Sequence, residues 1–506
     1  MENGPLKIES IVWQIVILSL FTRLLIAPFY VDPPSIPHDM WVYFGGGECV
    51  IEQLTSSSDC LETIHLQETY GNLYGILFNL IAAVPAALFP RSYLAMKIPG
   101  ILFDCASIPL VYLIAERLYG KRRAVYSSLV YGFGYIPFYS SSVLGNDDNI
   151  FVFFILACTY LLIRERFFLA GVSFSLALAL KMIAGILLVP VVYYILRKGG
   201  ARKLVVFGAC SLMVFSAFFI PHYLIAGEAA LAPYMSQSHP NVSIFGVGFL
   251  NIVRLSYGLP YHLMHPEMPR RYADSQPLSP LNYHGDNQFS AFLRAFSGPF
   301  MLLGVLATIG YMLKYRLSPG KGIGLEMVRN SFFFLFVPLM FSKIVDPLYF
   351  QWALPYLIIL FAGESDYAGD LASVLKNRTA VNSYILAILS AFVFSAIYRW
   401  SDQLDPLQKI FLAAGMLGAA YSTYMISYSM GRRERVLLSA LTFVFAMDRV
   451  LHANILAMAY PMFSFIADKG TFLLMTRFGW NYLNAVLLLT LSFPLVLAAH
   501  RSVKRR

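Results

Sequence analysis

Ile36-Pro37-His38-Asp39-Met40-Trp41-Val42-Tyr43 stands just after the first long apolar run of the chain, residues 11–30. That run has the length, about 20 residues, that crosses a bilayer as a helix. Asp39 therefore falls at the mouth of a membrane span, beside Trp41 and Tyr43, two residues that favour the membrane interface. A second acidic stretch, Gly145-Asn146-Asp147-Asp148-Asn149, follows a few apolar runs later. Ionisable groups next to lipid are costly unless they have a partner or a task. Two acidic clusters on one face point to chemistry at the membrane surface.

Apolar runs recur along all 506 residues; the hydrophobic fraction is 58% and the mean hydropathy +0.63. The chain reads as an all-α polytopic membrane protein with no separate soluble domain. The run at 11–30 lacks a small-residue cleavage site and reads as a retained anchor. The net charge of +10 does not imply a nucleic-acid partner, because the basic residues cluster in short loops, where they set topology. Spans are expected at 11–30, 97–117, 123–143, 149–163, 167–180, 183–197, 203–224, 291–313, 328–345, 348–362, 380–398, 408–427, 435–457 and 478–499, about 14 in all. Basic clusters at 117–123, 164–166, 197–203, 314–321, 376–378, 432–435 and 501–506 then hold most of the 38 Lys and Arg on the cytoplasmic side, and both termini are cytoplasmic. Residues 70–89 are apolar enough to span, but spanning would reverse this bias, so they read as an interfacial or re-entrant helix shielded by protein. Large outer loops are expected at 31–96 and 225–290. The spans at 167–180 and 183–197 are short; helices of about 14 residues cover only about 21 Å, which suits a recess where a lipid carrier enters.

Of the five cysteines, Cys105, Cys158 and Cys210 lie in apolar runs and read as small core residues. Cys49 and Cys60 share the first outer loop, where a disulfide is permitted.

Several residues are candidates for chemistry, each with a plainer alternative. Asp39 can act as a general base toward a hydroxyl within reach; an acid there also caps a helix beginning near Met40. Asp147 and Asp148 open the helix that follows and can cap it, orient an acceptor, or hold Mg or Mn, which carboxylates suit. Lys181, alone between two short spans, either snorkels or meets a phosphate. Phe341 to Trp352 joins two outer ends: Lys343 and Asp346 pair with each other, or Lys343 binds a phosphate while Tyr349 and Trp352 stack on a sugar or isoprenoid. Within spans, Asp448 and His452 share a helix face, and Arg23 with Asp104 reads as a structural pair.

These segments occur in the order found in one group. The chain resembles the GT-C glycosyltransferases, membrane enzymes that take sugars from polyprenyl-phosphate donors, and within them the mannosyltransferases, including the first mannosyltransferase of GPI-anchor synthesis and its prokaryotic counterparts. Asp39 to Tyr43 resembles the first-loop acidic motif, Gly145 to Phe151 a Gly-Gln/Asn-x-Asp segment, Ala170-Gly171 through Lys181 a span ending in lysine, and Asp346 to Pro355 the late outer-loop motif. The likeness covers residues 1–200 and 330–360, and is architectural beyond about 365. It departs at Pro37, which stands where the GPI enzyme has the first acid of an Asp-x-Asp pair; this weakens a first-loop metal and leaves Asp39 as the base.

The resemblance implies a GT-C bundle with a large first extracytoplasmic loop, a catalytic module over 1–365 and further helices over 366–506. It implies inverting transfer of one sugar, mannose first, from a polyprenyl- or dolichyl-phosphate donor to a lipid-linked glycan or other acceptor at the extracytoplasmic face. Asp39 would take the proton, Asp147 and Asp148 would serve the acceptor or as second acid, and Lys181 and Lys343 would meet the donor phosphate. His38, Trp41, Tyr43, Asp346, Tyr349 and Gln351 would contact substrate. A divalent cation is an open expectation. A lipid-glycan flippase or transporter predicts charges at mid-span rather than at outer ends, and an oligosaccharide transferase predicts a larger outer domain. A prokaryotic cell membrane, archaeal included, is the expected location, with the ER membrane as the alternative.

Overall fold

The computed structural model describes residues 8–30, 38–55, 75–90, 92–231, 245–246, 288–317, 322–342, 344–345, 349–363, 406–427, 430–452, 483 and 486–501. The chain is helical throughout these residues apart from turns and one pair of two-residue strands. In order, the helices are α1 (Ser10–Ile26), α2 (His38–Thr55), α3 (Ile76–Leu88), α4 (Tyr93–Tyr119), α5 (Lys121–Gly132), α6 (Asp148–Ile163), α7 (Phe167–Leu180), α8 (Leu188–Ala226), α9 (Gln288–Lys314), α10 (Gly322–Met340), α11 (Phe350–Ala362), α12 (Pro406–Ile426), α13 (Arg432–His452) and α14 (Val486–Arg501). Four stretches are long and apolar enough to cross a membrane: Tyr93–Tyr119, Met182–Ala226, Ala295–Lys314 and Gly322–Met340. Six shorter helices, α1, α3, α6, α7, α11 and α14, are apolar too. The expected span at 380–398 lies outside the described residues.

Which faces these helices bury distinguishes core from lipid-facing surface. Every residue of α11 is buried, and α10 is buried except at Gly322 and Val337. A helix that is apolar all round belongs inside a bundle. α8 and α9 are the reverse: Leu212, Leu224 and Leu303 are 68%, 78% and 58% exposed. Apolar surface on that scale is what a bilayer covers. The fold is that of an integral, multi-pass membrane protein.

Two expected spans are built differently. Residues 123–143 do not form one helix. α5 stops at Gly132, one turn follows at Tyr135–Phe138, and Tyr139–Leu144 is π-helical, ended by Gly145 in the left-handed region at φ 67°. Gly134 and Pro137 sit at the break. A Cβ on Gly134 would meet the Val130 carbonyl at 2.8 Å, so the chain passes back over the end of α5 there. Residues 183–197 begin as a 3₁₀ turn, Met182–Leu187, and continue into α8, whose kink at Gly200 marks the expected loop.

The segment expected to form the first outer loop contains α2 and α3, so residues 76–88 of the 70–89 segment are helical. The pair crosses closely: a Cβ on Gly47 would stand 2.7 Å from the Ala82 carbonyl oxygen. Cys49 in α2 is disulfide-bonded, whereas Cys105, Cys158 and Cys210 are free and buried; Cys60 lies outside the described residues. Phe245–Gly246, within the segment expected to form the second outer loop, pair in parallel with Ile344–Val345.

The described residues of the basic clusters at 164–166, 197–203 and 314–317 lie together. Lys198 bonds Glu165 at 3.1 Å, and Arg197 reaches Glu326 at 2.6 Å and the Leu317 carbonyl at 3.0 Å. Arg23 and Asp104, fully buried, pair at 2.7 Å, with Tyr131 donating to the same carboxylate at 2.9 Å. This is the structural pair expected from the sequence. Asp448 and His452 fall in α13, but their side chains lie outside the described residues.

Candidate active site

The centre of the site is the turn Gly145 to Asp148. It follows from the π-helical segment and opens α6. Asp147 occupies the cap position of α6, but its side chain does not cap the helix. It turns instead to Lys181, whose ammonium lies 3.1 Å from Asp147 Oδ2 and bonds directly to Asp148 Oδ1. Both acids are buried. Burial works against the charge on Lys181, but the carboxylates of Asp147 and Asp148 outweigh it and hold the lysine above its ordinary pKa range. Lys181 can sit here because α7 ends at Leu180 and its own backbone is extended (φ −146°, ψ 123°).

Three other elements close on this group. From α11, Trp352 donates its indole N–H to Asp148 Oδ1 at 2.8 Å. One turn on, Tyr356 bonds Thr159 at 2.9 Å and the Ile155 carbonyl at 3.1 Å, which locks α11 along α6. Tyr349 stacks on Trp352 with centroids 4.4 Å apart, and the Lys181 ammonium lies 5.9 and 5.6 Å from the two ring centres, within cation–π range. From the turn itself, Asn146 donates to Asp148 Oδ2 at 3.0 Å. From α2, the Tyr43 hydroxyl donates to Asp147 Oδ1 at 3.0 Å and accepts from the Asp147 amide at 3.3 Å.

Tyr43 is the link between the two acidic motifs. Asp39 stands four residues before it on α2, one helical turn toward the N-terminus, and positions i and i+4 share a helix face. The register thus places Asp39 on the face of α2 that Tyr43 occupies. The side chains of His38, Asp39 and Trp41 lie outside the described residues, as do Lys343 and Asp346.

Of the residues expected at the site, Tyr43, Asp147, Asp148, Lys181 and Tyr349 come together. Gln351 is buried, and neither its amide nitrogen nor its oxygen has a partner among the described residues. Sequence reasoning missed the tie from Trp352 to Asp148, Asn146 as a ligand of that acid, and Lys97, taken up below. The first two stand inside quoted motifs, but nothing in their spacing marks the contact.

Among the described residues no three His, Cys, Asp or Glu converge as a metal site. Asp147 and Asp148 already share an ammonium, so a divalent cation at that spot would face Lys181. The residues do not fit a cation there as they stand.

Residues 75–225 match the family model described as dolichyl-phosphate-mannose-protein mannosyltransferase. No curated protein matches the chain's sequence. Among solved structures, the chain is similar to ArnT from Cupriavidus metallidurans bound to undecaprenyl phosphate, at 13% identity over 98% of this chain and 78% of that one, with a TM-score of 0.45. The apo form of the same protein gives 13% identity, 98% and 77% coverage and a TM-score of 0.47. The apo oligosaccharyltransferase of Archaeoglobus fulgidus gives 13% identity, 85% and 56% coverage and a TM-score of 0.38. The matched segment contains Asp147, Asp148 and Lys181.

Proposed function

We propose that the protein is an inverting mannosyltransferase that moves one sugar from a polyprenyl- or dolichyl-phosphate donor to a hydroxyl of a lipid-linked glycan, at the extracytoplasmic face of a cell membrane. The observation that carries this reading is the convergence of Tyr43, Asp147, Asp148, Lys181 and Trp352, with Asp147, Asp148 and Lys181 inside the segment that matches the mannosyltransferase model.

In this reading the acceptor hydroxyl attacks the anomeric carbon while the bond from that carbon to the phosphate oxygen breaks. The hydroxyl proton passes to Asp39, and the lipid phosphate leaves with the bonding electrons. A departing phosphate needs positive charge where its own charge develops. Lys181 is held ready by two acids and remains partly exposed, at 18% of its side chain; Lys343 is the second candidate. Asp147 and Asp148 orient the acceptor, and the stacked pair Tyr349–Trp352 offers an apolar face to a sugar or the first isoprene. His38, Trp41 and Asp346 remain proposed substrate contacts.

A transporter predicts charged groups at mid-span rather than at the helix ends. Arg23 and Asp104 stand there but pair with each other, whereas Asp147, Asp148 and Lys181 gather at a helix end, which favours the transferase.

The test is transfer of radiolabelled mannose from polyprenyl-phosphate-mannose to a lipid extract, for wild type and Asp39→Asn. Transfer by wild type that falls at least about 100-fold in the variant, at equal protein level, is expected. Transfer that survives would move the base to Asp147 or Asp148. No transfer from mannose, glucose or arabinose donors would sink the reading.

A further inference from the structure

Lys97 is fully buried near the start of α4 and belongs to none of the motifs above. Its ammonium donates to the carbonyls of Ala27 at 3.0 Å, Ser142 at 3.2 Å and Val143 at 2.8 Å. An ammonium carries three protons, and three carbonyls receive them. Two of those carbonyls belong to the π-helical segment that runs straight into the acidic turn. The third, Ala27, begins the 3₁₀ turn that follows α1 on the way to the Asp39 motif.

Lys97 does not act alone. Gly100 and Asp104 follow at i+3 and i+7, the spacing of one helix face. A Cβ on Gly100 would stand 3.0 Å from the Asn146 carbonyl oxygen, so α4 lies directly against the acidic turn there. Asp104 Oδ2 accepts from Ser141 Oγ at 2.9 Å, and Arg23 donates to both. One face of α4 therefore holds residues 141, 142, 143 and 146 in succession. These are the residues that set where Asp147 and Asp148 emerge.

The held segment has reason to need holding. A π-helical turn carries an inserted residue relative to α-helix and recurs at functional sites, and Gly145 then reverses the chain in the left-handed region. The segment's own contacts are local, such as the Asn146 amide donating to the Ser140 carbonyl at 3.0 Å, Asn149 Nδ2 to the Asn146 carbonyl at 2.9 Å and Ser141 Oγ to the Pro137 carbonyl at 2.9 Å, and do not tie it to α4. A buried ammonium is costly, so an apolar residue would serve position 97 unless those carbonyls must be fixed.

We propose that the Lys97–Gly100–Asp104 face of α4 is a positioning device that sets the Asn146–Asp148 turn against Lys181 and Trp352. Lys97 and Gly100 are positioning residues: they touch the backbone that carries the acids, not the substrate. The proposal rests on the transferase reading for its kinetic consequence, but not for its structural one.

The experiment compares full-length wild type with Gly100→Ala, Lys97→Met and Lys97→Arg in detergent. Gly100→Ala is the gentlest variant, because it adds one methyl and displaces the Asn146 carbonyl by a few tenths of an ångström. Expected are a kcat lower by about tenfold or more, a donor KM within about twofold of wild type, and an unchanged melting temperature. Lys97→Met should behave likewise or more strongly, and Lys97→Arg should recover part of kcat. A second readout needs no activity: hydrogen exchange of the peptide spanning 144–151 should speed up in Gly100→Ala and Lys97→Met while α10 and α11 stay protected. The proposal is overturned if folded variants keep kcat within about twofold and that peptide exchanges as in wild type. It is also overturned if kcat falls only in step with loss of folded protein. If wild type transfers no sugar from any polyprenyl-phosphate donor, the transferase reading fails, and the exchange of residues 144–151 alone decides the positioning claim.

Discussion

Gln351 is the residue whose environment asks most for a ligand. It is 3% exposed, and both ends of its amide are unpartnered among the described residues, between Tyr349 and Trp352 of the site. A buried amide without partners costs about 1–3 kcal/mol. If a sugar hydroxyl supplies the missing bonds, Gln351→Leu should leave the melting temperature unchanged or higher while transfer falls on the order of tenfold. A lower melting temperature with unaltered transfer would give Gln351 a packing role instead. Lys181 makes a prediction of opposite kind. Its folded pKa is raised by Asp147 and Asp148, so its contribution to stability is complete below the free lysine value, about 10.4, and is lost only as pH climbs past the raised value. Melting temperature should therefore show no Lys181-dependent fall between about pH 7 and about pH 10. A fall in that window, present in wild type and absent from Lys181→Met, would contradict the geometry. Asp147, Asp148 and Lys181 were legible in the sequence because ionisable residues between apolar runs are rare and stand out. Lys97 was not. It precedes an apolar run, as any snorkelling lysine does, and its meaning comes from carbonyls of residues 27, 142 and 143, which no local pattern connects to position 97.

Among the elements, α2 and α3 bring the first acidic motif to the second. Their crossing depends on Gly47, where even a Cβ would meet the Ala82 carbonyl at 2.7 Å, and that oxygen is backbone with no rotamer to yield. Gly47→Leu should force the helices apart and draw Tyr43, one turn earlier, off Asp147. The expected cost is roughly 1–3 kcal/mol of stability by overpacking, read by thermal melting, with a loss of transfer that Tyr43→Phe reproduces in part without the loss of stability. Wild-type melting in Gly47→Leu would mean that the crossing is looser than it stands. The ends of α7 and α11 were readable within a residue or two, because each apolar run is bounded by Arg166, Lys181 or a polar outer segment. The break between α5 and α6 was not. Gly and Pro are common inside membrane helices, so Gly134 and Pro137 looked compatible with one span across 123–143. The surplus residue that makes a turn π-helical leaves no mark in hydropathy.

At the scale of the molecule, the alternation of basic clusters told which ends of the helices lie together, and the ties between residues 165 and 198 and between 197 and 317 agree with it. What charge bias could not tell is how the bundle is braced between its ends. That bracing is Arg23 with Asp104. Arg23 also reaches the Gly132 carbonyl at 3.0 Å and Ser141 at 3.0 Å, so one ion pair joins α1, α4, the end of α5 and the π-helical segment. Both side chains are without solvent exposure. Removing one member leaves the other charged and buried, and that typically costs about 3–5 kcal/mol. Arg23→Met should therefore lower the melting temperature sharply in detergent. Replacing both by apolar residues removes the stranded charge as well as the pair, and such replacements are often neutral. Arg23→Met with Asp104→Leu should thus regain much of the stability lost in the single variant. It should not regain full transfer, because Ser141 has lost Arg23 and Asp104 and the acidic turn with them one of its ties to α1 and α4. A double variant as unstable as the sum of its singles would show that the pair earns its place by shape rather than by charge. One restored in both stability and transfer would separate the brace from the site and leave Lys97 and Gly100 to set the turn alone.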